Sequence, residues 1–571
     1  MAAESLSDVH VRIDGQEITD DIRTRLISIE VDLSINVPSM FLLDIFDPAV
    51  ELIDNALFQV GNSVSVELGT ERVGESDVAS TLIEGTITAI EPVFDVAEAT
   101  RIRVRGYDAS HRLHRQQTAR TFVDQTDSDI VKAVAQANGV RANVSSTSIV
   151  HELVYQFNQT DFDFIRERAR RVGFICVFVD SKLYFGPPSG AGADGPTLTY
   201  GDSLHFFSPR LSSAGQTKEV SVRGWDRRSK QAIVGVASSP SFSYRGGSSS
   251  SGGATASSAS LGQNPLHVYD FPVDSQAEAD KIAASLLDDR EALFLQGEGT
   301  CDGNPKIRAG SAITLEGLGT RFNGKYFITR ATHRLNRAGY ETEISLAGLR
   351  SDSLADIMGS GSGAPGERSH RWSGVLPAIV TNNDDPDKLG RVKVIFPTIS
   401  EEKESGWAPI AVALAGKGRG FWLIPNVDDE VLVAFEHGEF NRPYVIGSLW
   451  NGKDTPPPDG TAANKAHEVH ELLTEGGSKL LLDDSSGNEV ILLTTKDGLS
   501  LTLDKTNKKV ELTEPGGMKV TLDGAAKSMT LEGAMQVNVK SQGTVKVEAS
   551  GTVDINGTGP VTIKGAVVNI N

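Results

Sequence analysis

The sequence predicts a mainly β protein that ends in a rod of stacked strands, and three observations predict it. Between Val490 and Asn571, two aliphatic residues separated by one other residue recur as Val510/Leu512, Val520/Leu522, Met529/Leu531, Val537/Val539, Val545/Val547, Val553/Ile555 and Val561/Ile563. From Met529 onward the step is eight residues, after steps of nine or ten, and Gly543, Gly551 and Gly559 fall at one phase of that octad. No Phe, Tyr or Trp follows Trp450 and no Arg follows Arg442, as a narrow interior filled by Val, Ile and Leu requires.

Alternate side chains of a strand share a face, so each pair reads as one rung whose apolar residues point inward. A fixed return with glycine at the corners marks a quasi-one-dimensional stack. The period leaves two arrangements open: consecutive octads of one chain coiling on themselves, or three chains each contributing a side. The shortening step predicts a taper toward the C-terminus. At the end, Val568, Asn569, Ile570 and Asn571 would present open strand edges, a docking surface for a cap protein.

The preceding chain is read in order. At 571 residues it exceeds what one core fills, ~250–300 residues, so several domains are expected. Residues 10–14, 26–33, 41–46, 63–68, 80–91 and 100–107 read as short strands of a small barrel or sandwich within 1–110. A helix is predicted near 129–137, opened by Thr126 or Asp127 and stopped by Gly139. A second, 161–172, has Thr160 and Asp163 in capping relation and Gly173 to end it. A third, 276–292, starts at Ser275 with Glu278 in capping-box spacing and buries Ala279, Ile282, Ala283, Leu286 and Leu287. These helices fall in segments 111–225 and 226–352; the latter contains a Ser/Gly-rich stretch, 246–263, read as a flexible loop. A linker at 353–370 precedes a compact all-β unit, 371–452, then a neck, 453–480, and the rod, 481–571.

Composition excludes several classes. A net charge of −20 argues against a general nucleic-acid binder. Two cysteines, Cys176 and Cys301, supply neither a disulfide framework nor a metal set. The N-terminus lacks a signal-peptide pattern and no apolar run reaches the ~20 residues of a membrane span, so synthesis and initial residence in the cytoplasm are expected.

Three stretches together resemble the VgrG family, the spike proteins of contractile injection systems, related to the hub and needle of contractile phage tails. Residues 157–166 (FNQTDFDFIR), followed by Gly173 and Phe174, are similar to the family's hub segment. Residues 390–397 (GRVKVIFP), 407–409 (WAP), 420–425 (GFWLIP), 430–435 (EVLVAF) and 442–452 (RPYVIGSLWNG) resemble its OB-fold in order and spacing. Residues 481–489 (LLDDSSGNE) match the start of the needle, while Gly224-Trp225-Asp226 and Gly324-Lys325-Tyr326 fit the hub. The resemblance implies a homotrimer. Two hub β-barrels per chain (1–110 and 226–352) would build a pseudo-six-fold ring on a hexameric inner tube protein, among baseplate proteins. The C-terminal strands of three chains would intertwine into a triple-stranded β-helix needle, its core the seven pairs above. A PAAR-type tip protein would sit on the end, with effector cargo as a further partner; no cofactor is implied. Trp407, Phe421, Trp422 and Trp450 fall at the family's core positions. The unusual first 50 residues and the Ser/Gly insertion favour an extracellular, phage-tail-like particle over type VI secretion.

Candidate chemistry is sparse. His467 and His470 are three apart, not four as a zinc-protease helix needs, and lack a third ligand. His111 and His114 lie in a basic stretch, 112–120, and read as charged surface. Residues 416–420 (GKGRG) lack the Lys-Ser/Thr ending and helix of a phosphate loop and read as a turn. Only 453 to about 475 separates OB-fold from rod, too short for a lysozyme-like cleft. A non-enzymatic spike is therefore expected; a cell-wall hydrolase spike and an OB-fold binder of oligosaccharide or single-stranded nucleic acid are the alternatives.

Overall fold

The computed structural model describes residues 9–35, 37–69, 80–95, 100–242, 264–346, 371–399, 403–461 and 467–570. The Ser/Gly stretch 246–263 and the linker 353–370 lie outside the described residues, as does Asn571. The chain is mainly β and divides into two compact units, Met1–Leu449 and Trp450–Asn571.

The first unit is organised by an eleven-stranded sheet. Its N-terminal part runs Val9–Ile13, Leu26–Ser34, Met40–Phe46, Ser63–Leu68, Ser80–Val93 and Arg101–Asp108. Alternation decides which face is inside: Val9, Val11 and Ile13, then Val64, Val66 and Leu68, are buried while their neighbours are not. Late strands join the same sheet: Arg330–Asn336 lies antiparallel to Leu26–Ser34, pairing Ala331 with Leu33 and Leu335 with Ile29. Thus the barrel segments read at 1–110 and 226–352 share one continuous hydrogen-bonded sheet. Where Gly85 and Gly106 face each other's strands, the Phe41 ring fills the space a Cβ would need.

The helices form where the caps are. Asp127–Ala137 is capped by Thr126, whose hydroxyl accepts from Asp129 N at 3.2 Å. Asp161–Val172 is capped by Thr160 (3.1 Å to Asp163 N) and ends at Gly173 with φ +73°, a conformation glycine adopts without cost. Gln276–Ala292 is capped by Ser275 and buries Ala279, Ile282, Ala283, Leu286 and Leu287 against the strands Val220–Asp226 and Gln231–Ala237. There Gly235 admits the helix, since any Cβ would collide with the Ala279 backbone.

Residues 371–449 close the first unit with a four-stranded antiparallel sheet in the order Lys393–Ile395, Val375–Asn382, Glu430–Phe435, Pro443–Ser448. Its core is Leu376, Ala378, Val380, Val392, Val394, Phe396, Ala408, Val431, Val433, Phe440 and Val445. Three aromatic positions read as core are not: Phe421, Trp422 and Trp450 are exposed, and Trp407 is half-buried. The reason is local. Residues 411–424 leave the sheet as an excursion carrying the two-residue strands Ala415–Gly416 and Arg419–Gly420, turned at Gly418 (φ +66°); it holds Phe421 and Trp422 outside the sheet's core, with the Trp422 ring against Gly390.

The second unit is a seven-stranded antiparallel meander in chain order: Val469–Leu473, Lys479–Asp483, Val490–Thr494, Ser500–Asp504, Lys509–Glu514, Met518–Asp523 and Ser528–Glu532. It begins within the residues read as neck. His470 is on its first strand, opposite Leu482, so the two neck histidines do not share a helix. After Glu532 no strand occurs among the described residues.

Candidate functional site

Two arrangements stand out, one in each unit. In the second unit, register aligns the apolar residues of successive strands into two ladders. One runs Leu482, Ile491, Leu503, Val510, Leu522, Met529; the other runs Leu480, Leu493, Leu501, Leu512, Val520, Leu531. From Ser500 to Asp523 the opposite face is polar, with Lys519 paired to Glu511 at 2.8 Å. Both ladders lie on the surface of the chain: Leu493 is 54% exposed and Met529 64%. The pairs Val510/Leu512, Val520/Leu522 and Met529/Leu531 are thus brought onto one face. The earlier residues of each ladder extend the set beyond the pairs read from sequence; 500–504 (SLTLD) carries the same alternation, whereas the apolar runs of 479–483 (KLLLD) and 490–494 (VILLT) leave the face undecided until register aligns them.

Beyond Glu532 the octad pairs keep one conformation at each phase. Val537, Val545, Val553 and Val561 are 54, 54, 51 and 55% exposed, and Val539, Val547, Ile555 and Ile563 are 71, 72, 69 and 68%. The chain does not bring these pairs together. Val568, Asn569 and Ile570 are likewise exposed.

In the first unit, the OB sheet is fastened to the strand Val150–Thr160 by rings. Phe440 stacks on Phe157 (5.2 Å between centroids) and lies 4.6 Å from Tyr155, 4.9 Å from Phe396 and 4.8 Å from Phe435; Trp372 meets Phe157 edge-on at 5.1 Å. Tyr155 N donates to Asn441 Oδ1 at 2.7 Å. Burial pushes the Tyr155 phenol up to about 12. Around the rings run ion pairs: Arg227–Glu436 (2.6 Å), Arg442–Asp274 (2.8 Å), Arg228–Asp387 (2.8 Å) and Arg171–Glu439 (3.5 Å). Burial opposes the charge of Arg171, but Glu439 and Glu278 outweigh it and hold the guanidinium protonated.

Nearby, Asp127 is buried with Arg168 (2.5 Å) and His151 (3.1 Å). Desolvation would raise this carboxyl; Arg168 and His151 outweigh it and hold it down to about 2. His114, read as charged surface, is instead stacked on Phe162 at 4.3 Å, and burial pushes it down to about 4, so it is neutral at pH 7. Among the described residues, no group of three or more His, Cys, Asp or Glu is placed to hold a metal ion, and no helix is long and apolar enough to cross a membrane.

Comparison with known proteins bears on this arrangement. Residues 3–337 match the family described as "Alg8 N-terminal domain", more than half of the chain, and 376–450 match the "Type VI secretion system/phage-baseplate injector OB domain". The chain is 25% identical over 445 residues to the type VI secretion system spike protein VgrG1a of Pseudomonas aeruginosa, covering 68% of this chain and 64% of that protein. It is 24% identical over 420 residues to VgrG1b of the same organism, covering 67% and 54%. The chain therefore spans between about half and two thirds of the length of these relatives. Among solved structures, a Francisella PdpA–VgrG complex superposes with TM-score 0.52 at 9% identity, over 89% of this chain and 80% of the other, a likeness of fold. The chain belongs to the family described as the Alg8 N-terminal domain, matches an injector OB domain over 376–450, and is similar to type VI secretion system spike proteins of the VgrG kind.

Proposed function

We propose that the protein is the structural, non-enzymatic hub and spike of a contractile injection system and works as a homotrimer. In this reading the sheet of the first unit joins a hexameric inner tube and baseplate proteins. The second units of three chains wind into a triple-stranded β-helix that pierces a membrane and carries a tip protein on Val568–Asn571. One observation carries the reading: two unbroken ladders of Leu, Ile, Val and Met lie uncovered on a single chain. Each such side chain gains ~1.5–3 kcal/mol on full burial, which two further copies would supply. The mass of the purified chain by light scattering tests it: three copies are expected, and a well-folded single copy at micromolar concentration refutes it. Release of particles into culture fluid tests the finer reading of a free phage-tail-like assembly, which rests on the first 50 residues and the Ser/Gly insertion. Clearing of a peptidoglycan suspension would overturn the non-enzymatic reading.

A second reading has a specific observation in its favour. Phe421 and Trp422 are exposed on the excursion that also carries Lys417 and Arg419, the ring-plus-cation pairing on which sugars or single-stranded bases stack. Retention of single-stranded DNA or an oligosaccharide by the wild-type chain, lost on Trp422→Ala, would support it.

A further inference from the structure

The second unit uses two different rules for pairing its backbone, and the rule changes where the repeat length changes. From Val469 to Glu532 every strand is hydrogen-bonded to the next strand of the same chain. From Gly533 to Ile570 no backbone-to-backbone hydrogen bond occurs among the described residues; the contacts there are side-chain ones such as Gln536 to Asn538 and Ser541 Oγ to Gly543 N. The boundary coincides with the first eight-residue step, Met529 to Val537.

Turn chemistry supplies an independent reason. The meander reverses at residues held in the left-handed region: Gly477 (φ +83°), Gly487 (+81°), Gly498 (+89°), Lys508 (+54°), Gly517 (+98°) and Lys527 (+55°). Such residues fix hairpin register locally. Past Lys527 no residue has positive φ among the described ones, so Gly543, Gly551 and Gly559 do not close hairpins. Strands of five or six residues joined by turns of three to six give the meander its longer steps, and past Met529 the step shortens to eight. A single-chain coil is also excluded as the way to cover the octads: with about three octads per turn, four rungs give barely more than one turn, and a solenoid needs stacked neighbours to make a core.

We infer that residues 469–532 set their own register within each chain, and that residues 533–570 obtain backbone partners only from other copies, so that the second unit assembles proximal part first. This rests on the trimer reading. Hairpins between adjacent strands close short loops and form in microseconds, whereas pairing between chains waits on encounter. The proximal sheet, three of which must meet by their apolar ladders, then presents the tails in a common register. A single-layer sheet with an uncovered apolar face is marginal, so its amides gain partial protection before assembly and full protection after it.

The test uses the full chain, refolded from denaturant at a series of concentrations, with pulsed hydrogen exchange read by mass spectrometry and mass followed by light scattering. Peptides within 479–523 should gain their first protection at a rate independent of concentration. Peptides within 537–563 should gain protection only as trimer mass appears, slowing about tenfold on tenfold dilution. Val553→Asp should abolish the second event and leave the first unchanged. If both regions become protected together with one concentration dependence, the order is wrong while the trimer stands. If 537–563 becomes protected while the mass remains that of one chain, the trimer reading itself fails.

Discussion

Phe440 is the ring on which the joint between the OB sheet and the rest of the first unit turns, and Phe440→Ala tests that joint. The side chain is 9% exposed and touches Tyr155 and Phe157 on one side and Phe396 and Phe435 on the other. Truncating a buried Phe to Ala costs ~3–5 kcal/mol in lost burial and cavity. Ring pairs contribute ~0.5–1.5 kcal/mol each beyond area, and are not additive. Two of its five ring partners, Tyr155 and Phe157, lie on the strand Val150–Thr160, so a substantial share of the loss should fall there. Hydrogen exchange of the intact chain reads both sides: peptides from 150–160 and from 430–435 should open together, with free energies lowered by ~1–2 kcal/mol at 150–160. Phe440→Leu, which keeps most of the volume, should cost under ~1.5 kcal/mol. If the OB strands loosen while 150–160 keeps its wild-type exchange, the rings stabilise the OB sheet alone and the joint is not where the structure puts it.

Further outcomes follow from the same contacts. On the proposed trimer, Val553→Asp should prevent assembly of the second unit without altering the unfolding midpoint of the first; a trimer mass equal to wild type with this change would contradict it. Asp127→Asn leaves Arg168 buried beside a neutral partner and should cost ~3–5 kcal/mol, measured by denaturant unfolding. Gly235→Ala should push the helix Gln276–Ala292 off its strand at ~1–3 kcal/mol, visible as faster exchange in 276–292. For pH, burial holds His114 down to about 4 and His333, which bonds Tyr340 and the Ile307 carbonyl, down to about 3. The unfolded chain therefore takes up protons below its ordinary ~6.5 that the folded chain refuses, and stability should fall as pH drops from 6.5 toward 4, by up to ~1.4 kcal/mol per pH unit per histidine. His114→Asn should flatten that slope. The Asp127 contribution, present above about 4, should be lost only as pH falls on toward 2.

What the sequence disclosed and what it withheld divide by range. Thr126, Thr160 and Ser275 cap the helices from within three residues of their targets, and the alternation in 63–68 or 518–523 needs only neighbours two apart, so these were legible. The pairing of Leu26–Ser34 with Arg330–Asn336 joins strands some three hundred residues apart, and no local pattern encodes it. The joint was hidden for the same reason: Tyr155 and Phe157 reach Phe440 and Trp372 across most of the first unit. Phe421 and Trp422 were misplaced by resemblance, which fixes order along the chain but not whether an excursion turns its rings inward. In the second unit the alternation was readable from Val510 onward, yet the ladders from Leu480 to Leu503 became visible only once register aligned them.

The two kinds of contact at the joint differ in strength, and their magnitudes decide which holds the OB sheet in place. Arg228 and Asp387 are largely exposed, and Asp274 opposite Arg442 is 80% exposed in its side chain, so these pairs are worth ~0–1 kcal/mol each and weaken with salt. At the centre of the ring cluster Phe396 and Phe440 are buried, and the loss of Phe440 alone outweighs several such pairs. Ion pairs at this boundary therefore orient the OB sheet, while the rings hold it. Raising salt from 0.1 to 1 M shortens the screening length from ~10 to ~3 Å, which should loosen the periphery and leave exchange at 150–160 unchanged. A joint that opened in salt would place the holding force in the charges instead, and Arg171, buried between Glu278 and Glu439, would then be the residue to replace.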